Sequence, residues 1–379
     1  MIRQSACLVG LAMAITGAAP AQQAESPAPR EFTVTSRDGT AIRGEADLPA
    51  GAPRVAIVMV AGTGLFDRDV RFGKSGTERD KLFKDLAERF VRQGLAAVRY
   101  DRRGVLFGKT GAEMLDTAVS GTSTVDSQRE DLAAVYRWAT AKDGLGARCV
   151  ILFGHSEGTL HIARLAESGA PAPLAVMGIG VATASPEEII RWQMSERDAL
   201  SLEKMDADHD GRTTLQEVVA HWRETPSSLL DNVTPLLPAD GQAWTAEQIG
   251  QVRTVQAALY RTAKAAALAL DDAAPYPNSA TPMARSSWWK SWFTDATPMA
   301  RRLAAWNVPM ILHWGSIDSQ TPPSISVPPA RQYLGTRATI IVHPGLGHSL
   351  GSHAALAPMD QVVADQIAGE AADLARRCR

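Results

Sequence analysis

The stretch that decides the fold is Cys149-Val150-Ile151-Leu152-Phe153-Gly154-His155-Ser156-Glu157-Gly158. Its first half is an apolar run with the length and composition of a buried β-strand, and it stops at a glycine. A serine then lies at the centre of a G-x-S-x-G frame, and a helix-like segment follows. The glycines allow a strand and a helix to approach closely around a strained turn, which exposes the serine hydroxyl at the carboxyl edge of a sheet. We therefore predict that Ser156 is a nucleophile and that the His155 side chain points away from it. The alternative is a structural turn rich in glycine and serine.

Strand-like and helix-like segments alternate on both sides of this stretch. A hairpin is predicted over 31–36 and 41–48, and buried strands over 54–60, 95–100, 174–181, 308–314 and 338–343. Helices are predicted over 82–94, 127–141, 157–167, about 329–334 and from about 358 onwards. Because strands buried on both faces alternate with helices, the pattern predicts an α/β fold with a mostly parallel sheet.

The alternation is interrupted over 183–307, which is rich in tryptophan, proline and helix-forming residues and contains no convincing buried strand. We predict that 22–182 and 308–379 form the core and that 183–307 is a largely helical insertion, lying over the carboxyl edge of the sheet as a cap. Seven of the nine tryptophans lie in or beside this insertion. They either form the core of the cap or, in the case of Trp288, Trp289 and Trp292, line an apolar pocket above Ser156.

The amino terminus has the pattern of a signal peptide over residues 1–21. Arg3 precedes an apolar run over 6–14, and Ala19-Pro20-Ala21 fits the small-x-small cleavage rule. A buried first helix is the alternative, but the apolar run is too short to span a membrane comfortably. We expect an exported protein, periplasmic or secreted, without a transmembrane anchor after cleavage. The net charge of −2, with interspersed charges, does not suggest nucleic acid or an anionic membrane surface as a partner.

Two cysteines remain after the predicted cleavage, Cys149 and Cys378. Cys149 begins the strand before Ser156, and Cys378 ends the last helix, which runs antiparallel to the strands. Both are therefore expected at the amino edge of the sheet, where a disulfide is geometrically feasible in an oxidising compartment. Two unpaired thiols are the alternative.

A serine nucleophile needs a base, and the base needs an acid that orients it. The loop after strand 308–314 presents Asp318, and a glycine-bounded loop after strand 338–343 presents His348. These residues follow Ser156 in the order serine, acid, histidine. His353 is the rival base, and Asp295 is a weaker rival acid because it lies in the insertion. Asp318 could alternatively begin a simple turn before a proline.

The developing negative charge in acyl transfer needs backbone N–H donors. One is expected from Glu157, directly after the nucleophile. The other is expected from Ala61-Gly62-Thr63-Gly64, where glycines let the backbone come close, and Thr63 is our first choice. An ordinary tight turn is the alternative for this loop.

Three motifs together resemble the α/β-hydrolase superfamily: G-H-S-E-G, A-G-T-G-x-x-D-R-D over 61–69, and Y-D-R-R-G over 100–104. The most similar branch is that of bacterial serine esterases and serine-aminopeptidase-like hydrolases, and the resemblance covers about 31–182 and 308–379. It implies the α/β-hydrolase fold, an acyl-enzyme mechanism, no cofactor required for the chemistry, and Ser156, Asp318 and His348 as nucleophile, acid and base. The sequence departs from the branch at Thr63, where serine is usual, and at Val105-Leu106-Phe107, which precede Gly108-Lys109 where the branch has a tighter G-x-G.

Residues 206–217 read D-A-D-H-D-G-R-T-T-L-Q-E and fit the pattern D-x-D-x-D-G-x₅-E, which resembles an EF-hand calcium loop. The resemblance implies the following ligands: the carboxylates of Asp206, Asp208, Asp210 and Glu217, the carbonyl of Arg212 and a water held by Thr214. We expect Ca²⁺ to have a structural role. A solvated acidic turn is the alternative. Thr213 replaces the usual aliphatic residue, and the candidate partner loop contains Asp240-Gly241 and ends at Glu247, which makes it at best a non-binding half.

The sequence therefore predicts an exported serine hydrolase that cleaves small-molecule carboxylic esters and has a calcium loop in its cap. A serine peptidase or amidase with the same three residues is one alternative. A calcium-dependent binding protein on an inactive hydrolase scaffold is another.

Overall fold

The computed structural model describes residues 28–72, 80–226, 228–237, 243–275 and 284–379. The predicted signal peptide, together with Asp240-Gly241 of the predicted partner loop, lies outside these residues. Among the helices described here, none is both long enough and apolar enough to cross a membrane.

The described residues form ten strands and thirteen α-helices. The strands are β1 (Arg30–Thr35), β2 (Ala41–Asp47), β3 (Val55–Val60), β4 (Ala96–Tyr100), β5 (Cys149–His155), β6 (Ala175–Ile179), β7 (Arg212–Thr214), β8 (Ala243–Thr245), β9 (Met310–Gly315) and β10 (Ala338–His343). The helices are α1 (Leu82–Arg92), α2 (Thr117–Ser120), α3 (Val125–Thr140), α4 (Gly158–Glu167), α5 (Pro186–Ser195), α6 (Arg197–Met205), α7 (Leu215–Ala220), α8 (Leu229–Val233), α9 (Ala246–Ala269), α10 (Ser286–Thr294), α11 (Met299–Leu303), α12 (Pro323–Leu334) and α13 (Gln361–Ala375).

Eight strands form one sheet in the order β1-β2-β4-β3-β5-β6-β9-β10. The β1–β2 and β2–β4 pairs are antiparallel, and all other neighbours in this sheet are parallel. The structure therefore confirms the predicted α/β fold with a mostly parallel sheet. Because β5 lies between β3 and β6, the turn after β5 projects from the middle of the carboxyl edge. The loops after β9 and β10 leave the same edge.

The sheet is covered on both faces, as the alternating side chains of β5 show. Val150 and Leu152 pack into the core that includes residues of α3 and α4. Ile151 and Phe153 pack into the opposite core, which includes residues of α1 and α13. Each such side chain, once fully buried, contributes about 1.5–3 kcal/mol of hydrophobic free energy. Both faces of β5 therefore stabilise the position of the turn that follows it.

A disulfide joins Cys149, at the start of β5, to Cys378, after α13, with the two Cα atoms 6.0 Å apart. Of the two alternatives left open by the sequence, the structure therefore has the disulfide. The bond lies at the edge of the sheet opposite the turn at Ser156.

The chain leaves the sheet after β6 and returns to it at β9, with α5–α11 and a separate pair of short strands in between. Helix α5 packs against α9 and α10, whereas α11 packs against α4 and α12 of the main layer. The pair β7–β8 places Thr213 opposite Trp244, and both side chains are buried in or beside a small separate core. The sequence prediction found no buried strand here, because three-residue strands are too short to show an alternating pattern.

Candidate active site

The turn after β5 holds Ser156 in a strained backbone conformation. Its φ of +53° lies in the left-handed region, which costs a residue with a side chain on the order of 1–3 kcal/mol. The Ser156 amide donates a hydrogen bond to the carbonyl of Ile179 at 3.2 Å. A Cβ atom at Gly158 would lie only 2.1 Å from the carbonyl oxygen of Val60, so only glycine allows α4 to start this close to β3. These contacts are what the G-x-S-x-G frame provides physically.

His348 and Asp318 are hydrogen-bonded to each other. His348 Nδ1 lies 2.9 Å from Asp318 Oδ2 and 3.0 Å from Oδ1. The backbone N–H groups of Gln320 and Thr321 donate to Oδ1 at 2.7 and 3.0 Å, and the Thr321 hydroxyl donates to Oδ2 at 3.1 Å. These bonds fix the carboxylate, which in turn orients the imidazole so that Nδ1 carries a proton and Nε2 is the basic nitrogen.

The two rival residues lie in other environments. His353 Nδ1 accepts a hydrogen bond from the amide of Ala355, and its ring packs 5.3 Å from that of Trp222. Asp295 receives hydrogen bonds from Arg164 at 2.9 Å and from Arg302 at 2.8 Å. Asp295 therefore joins the cap to α4 and is not the partner of His348.

The prediction for His155 is wrong. Its side chain does not point away from the site, because its ring lies 5.0 Å from that of His348 and lines the same cavity as Ser156. His155 is the last residue of β5 and faces the same side as Ile151 and Phe153, where the His348 loop covers the sheet. Burial, with a further contribution from His348, holds the pKa of His155 well below its usual value, so the ring is neutral.

A cavity of about 300 Å³ opens in front of Ser156 and His348. Its walls are mainly aromatic and aliphatic, formed by Phe66, Ile189, Ile190, Trp288, Trp289, Trp292, Ala355 and Leu356. Gln193, Gln320 and Thr321 supply polar groups. All three tryptophans singled out in the sequence line this cavity. No lysine or arginine is among the described residues that line it, so its interior suits an uncharged apolar group.

The loop after β3 lies directly against the nucleophile. A Cβ atom at Gly62 would approach Ser156 Cβ to 2.9 Å, so glycine is needed for this contact. The loop brings Thr63 to the cavity wall, where Glu157 also lies. The two residues chosen as amide donors are therefore brought together around Ser156.

Buried ion pairs hold this loop to β4 and to the loop after it. Arg68 donates from Nε and Nη2 to the two carboxylate oxygens of Asp101 at 3.2 and 2.7 Å, and its backbone amide donates to Asp101 at 2.9 Å. Asp69 pairs with the fully buried Arg99. Two-pronged arginine–carboxylate pairs fix geometry as well as charge. The D-R-D and Y-D-R-R-G motifs thus join the two loops beside the nucleophile.

The side chain of Glu157 has a structural environment that sequence reasoning missed. It is completely buried, with Oε2 3.1 Å from Arg102 Nη1 and Oε1 accepting a hydrogen bond from Trp288 Nε1 at 2.8 Å. Burial raises the pKa of Glu157, but the positive charge of Arg102 and further hydrogen-bonding partners lower it by more, so the pKa lies well below the ordinary value. Glu157 is therefore ionised. The sequence contained one signal for this environment, which is a carboxylate at a position that must be buried. A buried carboxylate needs a partner that compensates its charge.

The predicted calcium loop brings three acidic side chains together. Ligand oxygens of Asp206, Asp208 and Asp210 lie within 4.8 Å of one another, and the hydrogen bonds described for these carboxylates come from backbone N–H groups of the loop. Glu217 is not in this group. Its Oε1 accepts from the amide of Ala207 at 3.0 Å and its Oε2 from that of Thr214 at 2.7 Å. Converging carboxylates are the ligands that a hard cation prefers, so the residues fit Ca²⁺.

The described end of the predicted partner loop differs from the prediction by one residue. Thr213 faces Trp244, and Thr245 forms a capping box with Gln248, as Thr214 does with Glu217. Gln248, not Glu247, therefore occupies the position equivalent to Glu217. A neutral amide there is consistent with a half that pairs with the calcium loop without binding an ion itself.

The segment that follows α7 is bonded to the loop that holds His348. The carbonyl of Arg223 accepts a hydrogen bond from the amide of Ala354 at 2.7 Å. The Ala354 carbonyl in turn accepts from the amides of Ser319 at 3.0 Å and His348 at 3.2 Å. One residue of the His348 loop thus contacts the cap and both of the segments that carry Asp318 and His348.

No protein-family model matches the chain, and no curated protein matches it. Solved structures do match. The chain is similar to Est1E from Butyrivibrio proteoclasticus with bound ferulic acid, at 14% identity and a TM-score of 0.51 over 91% of this chain and 100% of that one. It is also similar to a lipase in an open form, at 16% identity and a TM-score of 0.51 over 93% and 99% of the two chains. The DcsB complex with its substrate analogue matches at 14% identity and a TM-score of 0.50 over 93% and 100%. At these identities the likeness shows the fold, which is the α/β-hydrolase fold.

Proposed function

We propose that the protein is a serine hydrolase that cleaves carboxylic esters of small molecules through an acyl-serine intermediate. The observation that carries the proposal is that His348, hydrogen-bonded to Asp318, lines the same apolar cavity as the strained Ser156. A strained serine, an oriented histidine and a cavity that admits a substrate are the parts that acyl transfer requires.

In this mechanism the Ser156 hydroxyl attacks the ester carbonyl while His348 Nε2 takes its proton. The amides of Thr63 and Glu157 stabilise the oxyanion, which is where such donors contribute most to the rate. The C–O bond of the ester then breaks, and His348 returns the proton to the leaving alcohol. Water, deprotonated by His348, attacks the acyl-serine and releases the acid, which regenerates Ser156. Asp318 holds the imidazole and stabilises its charged form throughout.

The walls of the cavity favour an apolar or aromatic acyl group. Trp288, Trp289 and Trp292 offer flat ring surfaces, and the volume of about 300 Å³ limits the group to a compact one. A peptidase that binds a substrate terminus needs a charged side chain in the site. The carboxylate of Glu157 is already paired with Arg102 and is therefore not free to bind such a terminus. An ester is accordingly a better substrate class for this site than a peptide.

We also propose that one Ca²⁺ stabilises the cap, with Asp206, Asp208 and Asp210 supplying carboxylates and Glu217, the Arg212 carbonyl and Thr214 completing the set. The close approach of the three aspartates supports this proposal. The ion would offset most of the negative charge of the loop, and the chemistry at Ser156 does not pass through it. Export to the periplasm or beyond is proposed from the amino-terminal pattern, and the Cys149–Cys378 disulfide is consistent with an oxidising compartment.

The test is hydrolysis of p-nitrophenyl acetate and p-nitrophenyl benzoate by residues 22–379, with Ser156→Ala as the control. We expect turnover that the substitution abolishes, and labelling of Ser156 by a fluorophosphonate probe. Cleavage of aminoacyl p-nitroanilides in preference to both esters would favour a peptidase. A folded protein with neither turnover nor labelling would contradict the proposal and favour a binding protein.

A further inference from the structure

We propose that the carboxylate of Glu157 is a positioning residue that holds the cap and the oxyanion loop in register with Ser156. The inference rests on the proposed hydrolase function. It concerns the side chain, whereas the oxyanion donor is the backbone amide of the same residue. Because Glu157 directly follows Ser156 in the chain, a group bonded to its carboxylate is fixed in position with respect to the nucleophile.

The first arm of this arrangement reaches the cap. Glu157 Oε1 accepts the indole N–H of Trp288 at 2.8 Å, across an interface between the turn after β5 and helix α10. Trp288 lines the cavity and stacks against Trp289 with ring centroids 6.0 Å apart. A hydrogen bond to an ionised acceptor is stronger and shorter than a neutral one. This bond therefore sets where one aromatic wall of the cavity lies with respect to the nucleophile.

The second arm reaches the oxyanion loop. Arg102 Nη1 lies 3.1 Å from Glu157 Oε2 and also donates to the carbonyl of Gly62 at 2.7 Å. Gly62 precedes Thr63, whose hydroxyl contributes to the low pKa of the Glu157 carboxylate. Through Arg102, the carboxylate fixes the backbone that carries the proposed second oxyanion donor.

The buried Arg68–Asp101 pair near the site connects different parts of the molecule from those that Glu157 connects. Arg68 and Asp101 join two loops of the core to each other. Glu157 joins the nucleophile turn to both the cap and the oxyanion loop. Its two arms therefore predict two kinetic effects, because Trp288 lines the cavity proposed for the acyl group and Arg102 holds the loop that carries the proposed oxyanion donor Thr63.

The test measures kcat and KM for p-nitrophenyl benzoate in Glu157→Gln, Trp288→Phe and their double variant. Trp288→Phe keeps an aromatic ring and removes the N–H donor, so we expect KM to rise at least fivefold with kcat within about twofold. Glu157→Gln offers Trp288 a neutral acceptor in place of the charged one, which weakens the first arm, and leaves Arg102 with its bond to Gly62 but without a carboxylate partner, so we expect kcat to fall about 10- to 100-fold with a smaller rise in KM. The double variant should deviate at least fivefold in kcat/KM from the product of the single effects.

Trp292→Phe is the matched control, since Trp292 lines the same cavity from the same helix but is not among the described partners of Glu157. Its effect should combine with that of Glu157→Gln within twofold of a simple product. Equal behaviour of Trp288→Phe and Trp292→Phe in these cycles would overturn the proposal. So would a Glu157→Gln variant with wild-type kcat and KM and only a lower Tm.

If Glu157→Gln does not fold, Trp288→Phe should still raise KM more than Trp292→Phe does, and an equal rise in KM for the two variants would contradict the first arm. Absence of ester turnover by the wild type would count against the proposed function and not against Glu157. In that case the same cycles are measured with the rate at which a fluorophosphonate labels Ser156, where a lack of coupling would contradict the inference.

Discussion

Replacing one aspartate of the predicted calcium loop should change stability in opposite directions with and without calcium. Asp208 is exposed, and its ligand oxygen lies within 4.8 Å of those of Asp206 and Asp210. Without an ion, each of these carboxylate pairs is repulsive. With an ion bound, the same groups stabilise the loop. The perturbation is Asp208→Asn, which preserves the size of the side chain and removes its charge.

The magnitude follows from the separation of the charges. Two unit charges 4.8 Å apart in water repel by about 0.9 kcal/mol, and salt at physiological concentration reduces this to about 0.5 kcal/mol. Asp208 takes part in two of the three pairs, so its neutralisation should stabilise the calcium-free protein by about 1 kcal/mol. An ion present at 100 times its Kd stabilises the wild type by about 2.7 kcal/mol, which Asp208→Asn should largely lose.

The assay is thermal unfolding followed by circular dichroism in EGTA and across a CaCl₂ titration. At about 1.5 °C per kcal/mol for a chain of this length, Asp208→Asn should raise Tm by about 1–2 °C in EGTA. With calcium at 100 times its Kd it should lie about 2–3 °C below the wild type, because the gain of about 1 kcal/mol offsets part of the lost 2.7 kcal/mol. Asp231→Asn, an exposed substitution on α8 in the same cap, is the matched control and should behave identically in both conditions.

A second readout comes from the contact between the cap and the His348 loop. Trp222 packs 5.3 Å from His353, so its fluorescence reports on this contact, and we expect EGTA to change it and to lower kcat. A wild-type Tm that calcium does not shift, or an Asp208→Asn variant destabilised equally in both conditions, would refute the reasoning. The loop would then be a solvated acidic turn.

Three further predictions concern the core. Asp318→Asn should lower kcat by about 10⁴-fold in steady-state ester hydrolysis while Tm changes little, because the amide cannot hold His348 in its basic tautomer; a drop below tenfold would contradict the assigned role. Replacing Cys149 and Cys378 by alanine should reduce the free energy of unfolding in urea by about 2–5 kcal/mol, since the bond closes a loop of 229 residues; unchanged stability would contradict a structural role for the disulfide. The pKa of Glu157 is lower in the folded state than its ordinary 4.5, so its contribution to stability is fully present above pH 4.5 and is lost as the pH falls towards the folded pKa. In a plot of the free energy of unfolding against pH, Glu157→Gln should therefore show a shallower slope than the wild type below pH 4.5. Identical slopes for the two proteins would refute this.

The fold and the core of the candidate site could be predicted from local sequence signals. The strand before Ser156 is an unbroken apolar run. Gly154 is required by its close contact with α4, and Gly158 by its close contact with the end of β3. Asp318 and His348 could be chosen because parallel strands deliver their following loops to one edge. Residues in such positions are predictable because chain order and strand direction alone bring them together.

What could not be predicted depended on contacts between distant segments or on very short elements. The Glu157–Trp288 bond joins residues 131 positions apart, and no periodicity in either segment indicates it. Helix α12 begins at Pro323, well before the predicted start, because Pro328 and Pro329 obscure a helix that tolerates them. The strand β8 has three residues, so its register opposite β7 is set by the burial of Trp244 in the small core.

The cap contacts the site at two places. One is the Arg223 bond to the His348 loop, and the other is the tryptophan wall on α10, which α9 connects to the small core. The first part of α9 places Ile249 and Val252 in the small core beside the calcium loop. Further along α9, Tyr260 packs 5.7 Å from Phe293, one helical turn or so beyond Trp288 on α10. In our proposal, an ion that orders the loop would stabilise the helix that supports the tryptophan wall, in addition to the Arg223 contact with the His348 loop. Loss of the ion should consequently raise KM as well as lower kcat, and its effect on KM should shrink once Trp288→Phe has already released that wall from Glu157.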